Sequence, residues 1–95
     1  MIKLSALLGE MLGHTDNQKG YYNYFFDQLI TYGEVMPSEI KDWGKKSMER
    51  YNGKLLRLEI IEMKRRKYLG KVVYKWHPSF YANISQLWKD IKRGL

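Results

Sequence analysis

Apolar residues return at helical spacing from the start of the chain. Leu4, Leu7, Leu8, Met11 and Leu12 fall at i, i+3, i+4, i+7 and i+8, one stripe of an amphipathic helix that Gly13 ends. His14 to Gly20 then read as a polar connector of turn and capping residues. The helical period resumes from Tyr21 to Tyr32, with Tyr22, Phe25, Phe26, Leu29 and Ile30 on one stripe and Gly33 as the stop. Six of these twelve residues are aromatic, and Tyr21 and Tyr24 lie off the stripe. Aromatic stripes at this spacing fill cores; the alternative makes Tyr21 and Tyr24 an edge offered to a protein partner.

Met36-Pro37-Ser38-Glu39 opens a third helix, because proline loses nothing in a first turn and Glu39 suits the dipole there. Ile40 and Trp43 face inward from it, and Gly44 ends or loosens it after two to three turns. Residues 47–69 fit two patterns. As a helix, Leu56, Ile60 and Met63 align, Met48, Tyr51, Leu55 and Leu58 form a neighbouring stripe, and Glu62 reaches Arg66. As a strand over 54–63, Leu56, Leu58 and Ile60 alternate with Arg57 and Glu59, after a turn at Asn52-Gly53. The abundance of Leu, Arg, Glu, Met and Lys favours the helix. After Gly70, Val72, Tyr74 and Trp76 alternate with Val73, Lys75 and His77 in a half-exposed strand stopped by Pro78. A last helix starts at Asn83 or Ser85, carries Ile84, Leu87, Trp88 and Ile91 on one face, and ends with Lys92 and Arg93.

At 95 residues the chain has room for one core and one domain, with no repeat or linker. Its hydrophobic fraction of 44% and aromatic fraction of 15% predict a folded chain and not a tail. Every apolar stretch is interrupted well before the ~20 residues a transmembrane helix needs, so the expectation is a soluble, membrane-free, cytoplasmic or nucleoid-associated protein. The opening Met-Ile-Lys-Leu-Ser-Ala-Leu-Leu is followed at once by Gly9-Glu10 with no small-residue cleavage site, and it reads as mature structure.

Charge changes the picture more than composition does. Seventeen Lys and Arg against ten Asp and Glu give +7, a balance that favours polyanionic partners. Residues 1–40 hold two basic and five acidic residues, whereas residues 41–75 hold twelve basic and four acidic ones, a net of +8. Lys64-Arg65-Arg66-Lys67 carries no acid within the run. It is a phosphate-binding candidate whether it ends a helix or tips a hairpin, although cations at a helix C-terminus also simply stabilise the helix.

Catalytic chemistry finds no foothold. The absence of cysteine excludes disulfides and thiolate zinc sites, and His14 and His77 are far apart. No Gly-rich phosphate loop, H-E-x-x-H or nucleophile elbow occurs. Asp42, Glu49, Glu59 and Glu62 match no metal-nuclease spacing. The expectation is a non-enzyme without cofactor or metal.

The order of these elements resembles the winged helix-turn-helix family of DNA-binding domains. The segments that carry the resemblance are Tyr21–Tyr32, Pro37–Lys46, Met48–Leu69 and Gly70–Trp76, about 55–60 of the 95 residues. The closing stretch Tyr74 to Tyr81 is also similar to the wing end of phage and plasmid replication or regulatory proteins. The resemblance implies a mainly α, α+β single domain over residues 1–95, with an N-terminal helix at 1–13, a winged-helix-like core at 21–77 including a small β-hairpin, and a C-terminal helix at 83–93. It implies that Arg50, Asn52, Lys54 and Arg57 face the major groove of duplex DNA. Lys45, Lys46, Lys71 and Lys75 would then hold phosphates, together with Lys64, Arg65, Arg66 and Lys67. The chain departs from the pattern at Gly53, which interrupts the recognition helix, and in showing one clear wing strand without an evident partner. Two other readings stay open. Tyr51, Tyr68, Tyr74 and Trp76, interleaved with cations, suit an RNA or single-strand binder, and the acidic, aromatic-rich first half suits a small protein-interaction module. A homodimer is compatible with any of these.

Overall fold

The computed structural model describes residues 3–65, 70–83, 86 and 89. Helix α1 spans Leu4–Leu12 and helix α2 spans Asp16–Tyr32. A two-residue strand β1, Glu34–Val35, leads to a 3-10 turn at Pro37–Glu39. Helix α3, Lys45–Arg57, is followed by β2, Ile61–Arg65, and β3, Val72–Trp76. The three strands form an antiparallel sheet in the order β1-β3-β2, giving the small α+β domain expected from the sequence. Among the described residues no helix is long and apolar enough to cross a membrane.

The first helix ends at Gly13 as its pattern predicts, but it packs through small residues as much as through leucines. Ser5, Leu8, Gly9 and Gly13 are buried, while Met11, assigned to the apolar stripe, is 68% exposed. The reason is close approach to α2. A Cβ on Gly9 would stand 2.9 Å from the Lys19 carbonyl oxygen, and one on Gly13 would stand 2.7 Å from the Lys19 backbone nitrogen.

Most of the expected connector is helix. Thr15 caps α2 by accepting from the Gln18 backbone N–H, and Gln18 Oε1 in turn accepts from the His14 N–H at 2.8 Å. This reciprocal Thr-x-x-Gln arrangement starts the helix at Asp16, so the helix runs through Gly20. At the other end Gly33 takes the left-handed conformation, φ 78°, and returns its N–H to Leu29 O. Tyr21, Tyr22, Phe25, Phe26 and Leu29 are all buried, and Ile30, expected on the same stripe, is 46% exposed.

Two further expectations are corrected between Pro37 and Arg65. The helix opened by Pro37 is a single 3-10 turn, held by the Met36 N–H to the Glu39 carboxylate, and Gly44 starts the next helix instead of ending this one. The ambiguous segment 47–69 is helix first and strand second. Asn52-Gly53 lies inside α3 and forms no turn, and the chain reverses at Leu58-Glu59-Ile60. Glu59 has a φ of 57° there, with the Glu59 N–H bonded to Leu56 O and the Ile60 N–H to Leu55 O. These are the two bonds of a Schellman ending, and the buried side chains of Leu55 and Ile60 supply its apolar contact. Glutamate occupies the position that glycine usually fills, so the stop carries no sequence signal.

The β3 strand stands where it was expected and finds its partner in β2, with Met63 opposite Tyr74 and Arg65 opposite Val72. It is less exposed than its alternation suggests, since Val73 on the opposite face from Tyr74 is also buried. Its inner face completes the core, Tyr74 lying edge-on to Phe25 and Trp76 stacking between Phe26 and Phe80. Helical backbone resumes at 78–83, earlier than Asn83 or Ser85. Ile84, Leu87, Trp88, Ile91, Lys92 and Arg93 lie outside the described residues.

Two substitutions test this account. Gly9→Ala should lower stability by about 1–2 kcal/mol in urea unfolding, because the added methyl meets backbone that cannot rotate away. Glu59→Gly should raise it by about 1 kcal/mol through relief of the left-handed strain; an unchanged midpoint would remove the Schellman explanation.

Candidate nucleic-acid interface

Helix α3 divides into two faces. Met48, Tyr51, Asn52 and Leu55, at i, i+3, i+4 and i+7, point into the core. Lys45, Lys46, Glu49, Arg50 and Arg57 are exposed, four cations and one carboxylate on the outer side. Gly53 does not break the helix: it is packed by the Arg57 guanidinium, whose Nη1 lies 3.4 Å from where a Cβ would stand. Arg50 lies over the Tyr51 ring with its guanidinium carbon 5.3 Å from the centroid, which limits the directions in which that arginine projects.

Hydrogen bonds fix the rotation of this helix on α2. The Tyr21 hydroxyl donates to Asn52 Oδ1 at 2.8 Å, and the Tyr22 hydroxyl donates to the Tyr51 carbonyl at 3.0 Å. Asn17 Nδ2 donates to the Tyr51 hydroxyl, and Asn17 Oδ1 accepts from the Trp43 indole. Asn52 therefore belongs to the core and does not read bases. It is fully buried, with Nδ2 lacking a protein partner. Tyr21 is likewise wholly buried and offers no docking edge, while Tyr24 is half-buried, its ring tilted against Trp43 and its hydroxyl donating to the Glu39 carbonyl.

Other expected cations are already engaged. Lys54 Nζ donates to the Leu12 carbonyl at 2.6 Å and to His14 Nε2 at 3.2 Å. Since an ammonium only donates, that imidazole nitrogen is the acceptor. Lys54 thus ties α3 to the end of α1 and does not face a groove. Lys75 is half-buried and stands at one register position between Glu34 of β1 and Glu62 of β2. Lys64, on β2, pairs with Glu62 at 3.4 Å and remains largely exposed.

Lys64, Arg65 and Lys71 remain as exposed cations of the hairpin, and Arg66 and Lys67 lie outside the described residues. The 3-10 turn connects the hairpin with α3. Lys71 and Val72 border a hollow with Met36, Pro37 and Ser38, and Lys45 borders another that shares Pro37 and Ser38. The N-terminus of α3 and the start of β3 therefore flank the same short turn. This link had no signal in the sequence, because it joins residues more than thirty apart.

The aromatic residues considered for base stacking are committed to packing. Tyr51 and Tyr74 are buried, Trp76 is sandwiched between rings, and Tyr68 lies outside the described residues. No group of three His, Asp or Glu side chains able to hold a metal is found among the described residues. No family model, curated protein or solved structure matches the chain. The class of protein on which the functional reading rests is therefore that of its own architecture, an α+β domain with a cationic helix beside a β-hairpin.

Burial pushes the Tyr21 hydroxyl far above the ordinary tyrosine range, against a smaller opposing effect of its bond to Asn52, and burial also raises Tyr22. Both stay neutral in the folded chain at a pH where the unfolded chain ionises at ~10. The unfolded state then binds fewer protons than the native one, so stability is fully present below pH ~10 and falls above it. Urea unfolding from pH 8 to 11 should show this fall, and Tyr22→Phe should make it shallower; a flat alkaline profile would contradict the burial of both hydroxyls.

Proposed function

We propose that the chain is a non-enzymatic duplex DNA-binding domain of winged helix-turn-helix type, serving regulation or replication. The observation that carries this reading is the outer face of α3: Lys45, Lys46, Arg50 and Arg57 project from a helix whose opposite side is locked to α2 by buried hydrogen bonds. The order of elements supports it. A helix, a strand, a single 3-10 turn where the winged pattern has its second helix, a cationic helix and a hairpin that closes the sheet with the first strand follow one another. On this reading the first turns of α3 enter the major groove, where Arg50 bonds base edges, while Lys45, Lys46 and Arg57 hold phosphates. Lys64, Arg65 and Lys71 place the hairpin along the backbone.

Duplex is favoured over single strands because Tyr51, Tyr74 and Trp76, the described rings interleaved with cations, are packed into the fold, leaving charge and not stacking as the means of attachment there. Fluorescence anisotropy with a labelled duplex over a salt series should give micromolar or tighter binding at low salt, with log K falling by several units per log unit of salt. The double substitution Lys46→Ala and Arg50→Ala should weaken binding by about tenfold or more and flatten the slope by about 1–2. Salt-independent binding, or a preference for single strands, would overturn the proposal.

A further inference from the structure

Pro37, Ile40, Trp43 and Met48 wall a hollow of about 280 Å³ between the 3-10 turn and the start of α3, with Ser38 and Lys45 as its polar members. We propose that this hollow binds a small aryl carboxylate, the ring lying against Trp43 and Met48 and the carboxylate meeting the Lys45 ammonium and the Ser38 hydroxyl. The site shares Lys45 with the outer face of α3 but stands whether or not α3 binds DNA.

Three observations converge on this ligand. The first is rigidity. Ile40 and Met48 are 7% and 6% exposed, and Trp43 is held by its indole N–H on Asn17 and by ring contacts with Tyr24 and Tyr21 at 5.5 and 5.3 Å. A ring entering the hollow meets a wall already in place, so little ordering is lost on binding.

The second is charge. Lys45 is exposed and makes no ion pair among the described residues, and the hollow is lined by no carboxylate. The neighbouring hollow beyond Pro37 and Ser38 adds a second lysine, Lys71, and again no acid. The Glu39 carboxylate of the same turn is engaged by the Met36 N–H, and the lysine in each lining favours an anion over a cation. The third is size: the volume, about 280 Å³, lies just below the ~300 Å³ at which drug-sized ligand pockets begin and suits a single substituted ring.

The test is titration of the uniformly labelled protein with phenylacetate, followed by the Trp43 indole and Lys45 amide signals in nitrogen-proton correlation spectra. 2-Phenylethanol and 2-phenylethylamine serve as neutral and cationic controls of similar shape. Phenylacetate should shift both signals saturably with a Kd of about 1 mM or tighter. The amine should bind at least about tenfold more weakly, and Lys45→Ala should weaken phenylacetate by about tenfold while leaving the remaining spectrum, and hence the fold, unchanged. Equal midpoints for phenylacetate and 2-phenylethanol would overturn the proposal, as would unaltered affinity in Lys45→Ala or a Trp43 signal that does not respond to phenylacetate.

Discussion

The structure depends on the seating of α3 against the aromatic face of α2. Apolar burial alone would hold the two helices together without deciding which way α3 is turned, because area-driven attraction has no direction. The direction comes from Tyr21 and Tyr22, whose hydroxyls reach Asn52 Oδ1 and the Tyr51 carbonyl. Buried donors left without acceptors cost about 1–3 kcal/mol each, so rotating α3 away from these bonds is opposed twice, by the lost contacts and by the stranded hydroxyls. With the inner face fixed, the positions of Lys45, Lys46, Arg50 and Arg57 follow from helix geometry.

The other elements brace that arrangement. Trp43 and Asn17 extend the polar network to the N-terminal side of α3, while Lys54 reaches across to the end of α1 and ties its C-terminal carbonyl to the same helix. The Schellman ending at Glu59 then turns the chain so that Ile60 and Ile61 are buried and β2 meets β3. The unpaired Asn52 Nδ2 is the one flaw in the network among the described residues. It goes with an amide that offers both a donor and an acceptor where only an acceptor is used.

Elements marked by glycine, proline or strong periodicity were legible in the sequence: the end of α1 at Gly13, the end of α2 at Gly33, the strand after Gly70 and the aromatic core of Phe25 and Phe26. What escaped was set by long-range packing. Glu59 in a left-handed conformation gives no local sign of a helix end, so residue preferences favour continuing the helix where the chain turns into the strand Ile61–Arg65. Gly20 and Gly53 look like breakers, yet both lie within helices whose packing and capping outweigh a cost of about 1 kcal/mol per glycine. Within the candidate interface, the exposed cations of α3 and the hairpin were legible as charge. The inward turn of Asn52 and the internal bonds of Lys54 were not, because spacing alone does not say which face of an amphipathic helix a borderline polar residue joins.

That distinction alters the meaning of the charge excess at 41–75. Lys54 caps α1, Lys75 stands between two glutamates and Lys64 shares its charge with Glu62. The cations free to meet an anion are therefore fewer than a count suggests, and, Lys41 apart, those described in this segment stand on the outer face of α3 and on the hairpin, on either side of the Pro37-Ser38 turn. A charge that solvates a surface is spread over it, whereas here structural lysines are withdrawn into the frame and the remainder is left in two adjoining sets. The turn between those sets is hollow, and Lys45 belongs both to that hollow and to the outer face of α3, so an anion bound in the hollow would be opposed by any second anion drawn to the same ammonium group.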